Sequence, residues 1–403
     1  AADGERVAAG ELVLPGSPLS EVRAAHVPVV DRGVVAEFGE DALVAVGVLD
    51  RLRVRAYHDV EIDPDALAGV LLEGAAWAED VLDRVADAGG DAELPPVAPD
   101  VPTVLGLDRV ADDAWSRAHV LLSDPEVARA LSAQVVVHPV SGRSVTVPGP
   151  SAWWLREAPL FDGVSPVGTH SADAELPLAQ LYPVVAPPGL GEGRLARAIG
   201  VRSTVADLLA EPDGPGEVLD RLADADLQVS AEHTVGLYRA VAALDPDRWP
   251  TPPAAVRIPA GTGSRVVPAA TVTVVVRPHH LPLAGPDVLP GVADVAELLE
   301  VGLWDADGAP DPVGGVSRAV PEVARSWLPD VPAVFTEHDD LEVGGRSVAW
   351  WVTDDGAVHA ATTEGLARAL AWAGGSWERR YELACLLADP DRADELATER
   401  AFG

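Results

Sequence analysis

With 403 residues and 48% apolar content, the chain is too long for one small core and too apolar for disorder, so two or three domains are expected. A formal net charge of −35 makes nucleic acid and anionic membranes unfavourable partners, because both would be repelled. No apolar run reaches membrane-spanning length and the first residues, AADGERVAAGELVLPG, carry no signal-peptide pattern, which predicts a soluble, cytoplasmic protein.

The sequence contains no Lys, Asn or Met. Without Lys there is no Schiff base and no phosphate-loop lysine. The missing initiator Met points to a piece of a longer polypeptide. Cys385 is the single cysteine, so no intramolecular disulfide forms, and its place on an apolar helix face predicts packing.

In chain order, residues 1–60 show short helical patterns (Leu19 to Ala25, Val34 to Phe38, Ala42 to Val46) and a strand-like Leu52 to Tyr57. Asp63-Pro64 opens a helix, and a longer one runs from Ala75 through Trp77, Val81, Leu82 and Val85 to Gly89-Gly90. The Pro-rich stretch Leu94 to Pro102 is a candidate boundary, equally readable as a surface crossing within one domain. Helical patterns follow at Ala111 to Leu122 and Asp124 to Leu131. Period-two alternation over Gln134 to Val147 then predicts a hairpin burying Val135, Val137, Val145 and Val147. Helices are expected near Leu176 to Leu181, Arg194 to Ile199, Thr204 to Ala210, Glu217 to Leu222 and His233 to Leu244. A second Pro-rich break, Trp249 to Pro253, precedes a hairpin around Gly261-Thr262-Gly263, a strand at Ala270 to Val276 and a short helix at Val292 to Leu299. Asp305 to Val316 reads as a loop.

The last stretch, Val343 to Gly403, predicts a hairpin (Ser347 to Val352 and Ala357 to Ala360 about Asp354-Asp355-Gly356). Three helices follow, the first capped by Thr362 or Thr363 and the second opened by Ser376. The fold class is α+β: antiparallel hairpins interleaved with short helical bundles. The expected domains are 1–98, 99–250 and 251–403.

Candidate chemistry is sparse. Gly189-Leu190-Gly191-Glu192-Gly193 before a helix imitates a phosphate cradle, but has no preceding strand, and Glu192 would repel phosphate. His279-His280, read on a strand, would point to opposite faces and not chelate one ion. Glu337, His338, Asp339 and Asp340, with His359, form an alternative small-ligand or hydrolytic site, although a hairpin also needs polar turn residues there. The pairs Trp153-Trp154 and Trp350-Trp351, read as strand residues, should each bury one ring and leave the other partly exposed, a state that suits a protein interface. Trp377, Arg379 and Arg380 complete that candidate interface. GRSVTVPGPSAWW and GRSVAWW also echo one another, two matches being too few for a repeat.

Three segments carry a resemblance: SAWWLREAPLFDG, LARAIGVRST with the later LLAEPDGPGEVLDRLAD, and GLARALAWAGGSWERRYELACLLADP. They are similar to the C-terminal part of large actinobacterial proteins with a sacsin-like, GHKL-type ATPase domain, homologues of the ninety-kilodalton heat-shock chaperones. The resemblance implies a non-catalytic region with no cofactor of its own, Mg-ATP belonging to an N-terminal domain outside this sequence. It implies a scaffold whose partners are that ATPase domain and client or partner proteins. A homodimerisation arm is the structural alternative.

Overall fold

The structure is a computed structural model and describes residues 7–90, 94–161, 163–187, 193–304, 311–328 and 330–400. Two units emerge, 1–214 and 215–403, whereas the sequence suggested divisions after 98 and 250.

In the first unit, strand β1 (Arg53–Glu61) contains the expected Leu52 to Tyr57 pattern but runs longer. Helix α1 (Gly74–Asp87) buries Trp77, Ala78, Val81 and Val85 at helical spacing, and the Trp77 indole donates to the Pro148 carbonyl at 3.0 Å. Strand β2 (Val97–Leu105) pairs antiparallel with β1 from Arg53↔Leu105 to Glu61↔Val97. The Pro-rich stretch therefore ends in a strand of the first unit. Its Pro99 lies opposite Asp59, the one position where the register lapses; there Asp59 turns to φ 51, and proline has no N–H to give a partner.

Helices α2 (Trp115–Leu122) and α3 (Pro125–Leu131) follow, the latter capped by the Asp124 carboxylate, which accepts from Glu126 N–H. Strands β3 (Gln134–Val137) and β4 (Val145–Pro148) form the predicted hairpin in the register Val135↔Val147 and Val137↔Val145. Three of the four expected valines are fully buried and Val145 packs partly against them. Next comes α4 (Pro150–Glu157), which carries Trp153 and Trp154. The strand expected for this Trp pair is a helix, because Pro150 at the first helical position presets a helical φ. The echo of GRSV before a Trp pair is thus not a structural repeat.

The second unit begins its hairpin architecture after helix α5 (Ala231–Ala242), capped by Ser230. Strands β5 (Ala255–Ala260) and β6 (Gly263–Pro268) pair antiparallel. Arg257 is 2% exposed. Its Nε donates to the Leu222 carbonyl at 2.9 Å, one Nη to Ser264 Oγ at 3.1 Å and the other to the Asp224 carbonyl. A buried guanidinium is tolerated when its donors are spent in this way. Strand β7 (Thr273–Val275) lies between parallel partners β8 (Val288–Pro290) and β9 (Gly302–Leu303), with α6 (Ala293–Leu298) between those two in sequence.

The terminal module is the α+β arrangement the sequence predicted, in greater detail. Strands β10 (Val316–Ala319), β11 (Val334–Glu337), β12 (Trp350–Val352) and β13 (Val358–Ala360) form one sheet in the order β10-β11-β13-β12. The pairs β10/β11 and β12/β13 are antiparallel and β11/β13 is parallel. Helix α7 (Glu322–Trp327) connects β10 to β11. Helix α8 (Thr363–Ala373) follows, with Thr362 Oγ1 accepting from Gly365 N–H at 2.9 Å. A Cβ on Gly365 would fall 2.2 Å from the Ala349 carbonyl oxygen, so glycine is what lets this helix start flat against the sheet. A 3₁₀ turn at Trp377–Arg379, α9 (Arg380–Ala388) and α10 (Ala393–Arg400) end the described chain. Cys385 on α9 is half-buried. No described helix is long and apolar enough to cross a membrane.

Candidate functional site

Direct pairing of Trp350 with Ala360 and Trp351 with His359 puts the two indoles on opposite faces of the terminal sheet. Trp350 joins Phe335, Val352, Val358, Leu366 and Leu370 under the helices, while Trp351 packs with Leu341, Val343 and Val348 on the other face. Both are buried, at 7% and 3% exposure. The expectation that one would be partly exposed is corrected: opposite faces are right, but each face is covered, one by α8 and α9 and the other by the 341–348 hairpin.

Strand β12 is an edge of this sheet, and the 3₁₀ turn Pro278–His280 packs against it. His279 and His280 are therefore on a turn and not on a strand, and their rings lie edge to face, 4.4 Å apart. His279 is 1% exposed, with ring centroids 5.2 Å from Trp350, 4.8 Å from Trp351 and 6.2 Å from Trp372. His280 adds Trp304 at 4.5 Å. Neither nitrogen of His279 has a hydrogen-bond partner in good geometry, although the Val352 backbone lies near enough to favour the charged form slightly. Burial, reinforced by the neighbouring His280 and Arg277 charges, pushes His279 down to about 3, so at neutral pH it is a neutral ring among aromatics.

The cluster reaches the surface through a relay of rings. Trp350 stacks on Trp377 at 5.6 Å, Trp377 meets Trp372 at 5.9 Å, and the Arg380 guanidinium lies 4.6 Å over Trp377 and 4.3 Å over Tyr381. Arg380 also donates to the Trp377 carbonyl at 2.9 Å, which holds it in this sandwich. Tyr381 is 61% exposed. Arg379, expected on the same interface, is turned inward. Its Nε contacts Glu382 at 2.9 Å, one Nη donates to the Trp327 carbonyl, and its guanidinium lies 5.3 Å over the Trp327 ring.

The alternative acidic site divides in two. His338 and His359 are buried at 6% and 8% exposure, and one ring nitrogen donates to the other across 3.0 Å between Nε2 and Nδ1. Burial first, and the neighbouring His338 second, lower the His359 pKa. Glu337 is exposed and paired with Arg318 at 2.9 Å, and Asp339 and Asp340 are exposed. The pair can share a proton between two rings, while the three carboxylates face away into solvent. Among the described residues no group of three or more His, Cys, Asp and Glu side chains is placed to hold a metal ion.

Trp153 and Trp154 sit in the first unit. On α4 they are both half-buried, Trp153 against the core around Trp77 and Trp154 against that around Trp115, whose ring is 6.1 Å away. Gly189, Gly191 and Glu192 of the glycine loop, and residues 305–310 of the expected loop before Val316, lie outside the described residues. A strand at Pro278–His280 would keep His279 and His280 apart; the turn brings both into the cluster, and a Pro directly before two His is the sequence signal for it.

Comparison with known protein families, with curated proteins and with solved structures finds no match to this chain.

Proposed function

We propose that this chain is a non-catalytic, partner- and client-binding C-terminal region of a chaperone-like GHKL ATPase protein, acting through the surface formed by Trp377, Arg380 and Tyr381. The observation that supports this reading is the Arg380 guanidinium held between two aromatic rings at the start of α9, one ring anchored on Trp350 and the other open to solvent. Trp, Tyr and Arg are the side chains that dominate contact energies between proteins, and a pre-ordered cluster loses little entropy on docking. The stacked cation also gives an acidic protein one local point of attraction for carboxylates on an unfolded chain.

In this reading the nucleotide site belongs to another domain of the parent protein, so client binding by this chain alone is independent of ATP. The test is suppression of heat-induced aggregation of a model client, citrate synthase, followed by light scattering. The chain suppresses aggregation equally with and without Mg-ATP. The double variant Arg380→Ala/Tyr381→Ala loses the effect while its melting temperature falls by no more than a few degrees. Undiminished suppression by that variant, or a requirement for ATP, refutes the reading.

A further inference from the structure

The first unit contains a cleft of about 630 Å3 that the reading above does not use, within the size range of small-ligand sites. Its apolar wall includes Leu49 and Leu71, both buried. Two cations and two carboxylates also line it: Arg55, Arg109, Glu73 and Asp108. Asp108 and Arg109 face each other, with Nε 3.2 Å from Oδ2, so their charges largely cancel. Arg109 Nε nonetheless makes no well-directed hydrogen bond.

Arg55 and Glu73 are left. Both are exposed, and neither has an ion-pair partner among the described residues. Arg55 lies 4.9 Å over the ring of Tyr57, two residues along β1 and so on the same side of the strand. Glu73 is fixed from both sides: it adopts φ 48, unusual for a residue with a side chain, and the following Gly74 has no room for a Cβ, which would fall 2.3 Å from the Leu67 carbonyl oxygen. Ser151, 4% exposed, accepts the Val104 N–H at 2.8 Å, and its own hydroxyl proton has no acceptor among the described residues. The cleft thus offers one cation and one carboxylate without ion-pair partners among the described residues, a spare hydroxyl donor elsewhere in its lining, and an aliphatic wall.

We infer that this cleft binds a small zwitterion with an aliphatic body, its carboxylate on Arg55 and its ammonium on Glu73. Because both groups are exposed, a ligand with a single charge leaves the other group hydrated and forgoes one of the two ion pairs, so the zwitterion is favoured over either capped form. A free aliphatic amino acid and an aliphatic dipeptide share this chemistry and differ in the separation of their charges.

Calorimetric titration of the full chain with L-leucine, leucyl-leucine, N-acetyl-leucine and leucinamide tests the assignment. One of the two zwitterions binds saturably, and whichever binds more tightly identifies the source. The capped forms, each lacking one charge, bind at least about tenfold more weakly. Arg55→Gln and Glu73→Gln each weaken the zwitterion by about tenfold or more with an unchanged circular-dichroism melt, and Arg55→Lys restores part of the loss. Failure of both zwitterions to saturate, equal binding of a capped form, or indifference to both substitutions overturns the inference.

Discussion

The two tryptophan pairs solve one problem in two ways. Adjacent residues on a helix are separated by about 100°, so Trp153 and Trp154 of α4 sit side by side, each half-buried and each leaning on a different core. Adjacent residues on a strand are separated by about 180°, so Trp350 and Trp351 need two separate covers, and the terminal module supplies both. The dipeptide is the same; the secondary structure decides whether it bridges two cores or is enclosed between two layers. Enclosure also brings His279 against both rings and lets Trp350 support Trp377 from beneath.

The sharpest way to break this contrast is truncation. Trp351→Ala removes a nearly fully buried ring and should cost about 3–5 kcal/mol in the urea transition of the second unit. A loss below about 1 kcal/mol would mean that the ring is not enclosed. Acid reads the same enclosure through His279. Its folded pKa, about 3, lies below its ordinary 6.5, so the unfolded chain takes up a proton that the folded ring refuses. The stability this contributes is full above about pH 6.5 and is lost as pH falls towards 3, amounting to about 2 kcal/mol by pH 5. Urea midpoints at pH 7.5 and 5 should therefore differ by more for the native chain than for His279→Leu; equal differences would show a ring that protonates freely.

Smaller effects belong to the helical pair. Trp153→Ala and Trp154→Ala should each cost about 1–2 kcal/mol, in the first unit's transition only, since half of each ring is already in water. Smallest of all is Arg380→Ala, expected to cost about 1 kcal/mol of stability, because a half-buried cation over aromatic rings contributes on that order. Its effect belongs in binding.

How much of this was legible in the sequence follows from which forces were local. Capping by Thr362, the valine alternation of the 134–147 hairpin, and the helical spacing of Trp77, Val81 and Val85 are short-range signals, and they translated directly into structure, whereas Ser376 precedes its turn without a side-chain cap hydrogen bond. The long pairing of β2 with β1 did not, because two prolines mask a strand whose partner lies some 40 residues away. Nor did the burial of Arg257, which depends on carbonyls of Leu222 and Asp224 that only the tertiary fold delivers. In the candidate site Trp350, Trp351, Trp377 and Arg380 were readable as a group. The role of His279, and the turning of Arg379 towards Trp327, depend on segments some 50 or more residues away.

One measurement bears most directly on the proposed surface: the affinity of a fluorescently labelled, unfolded client for the native chain and for Arg380→Ala/Tyr381→Ala, read by anisotropy at neutral pH. The account predicts a loss of about tenfold or more in the double variant, with Trp153→Ala binding like the native chain. Equal affinities for the native chain and the double variant would contradict it.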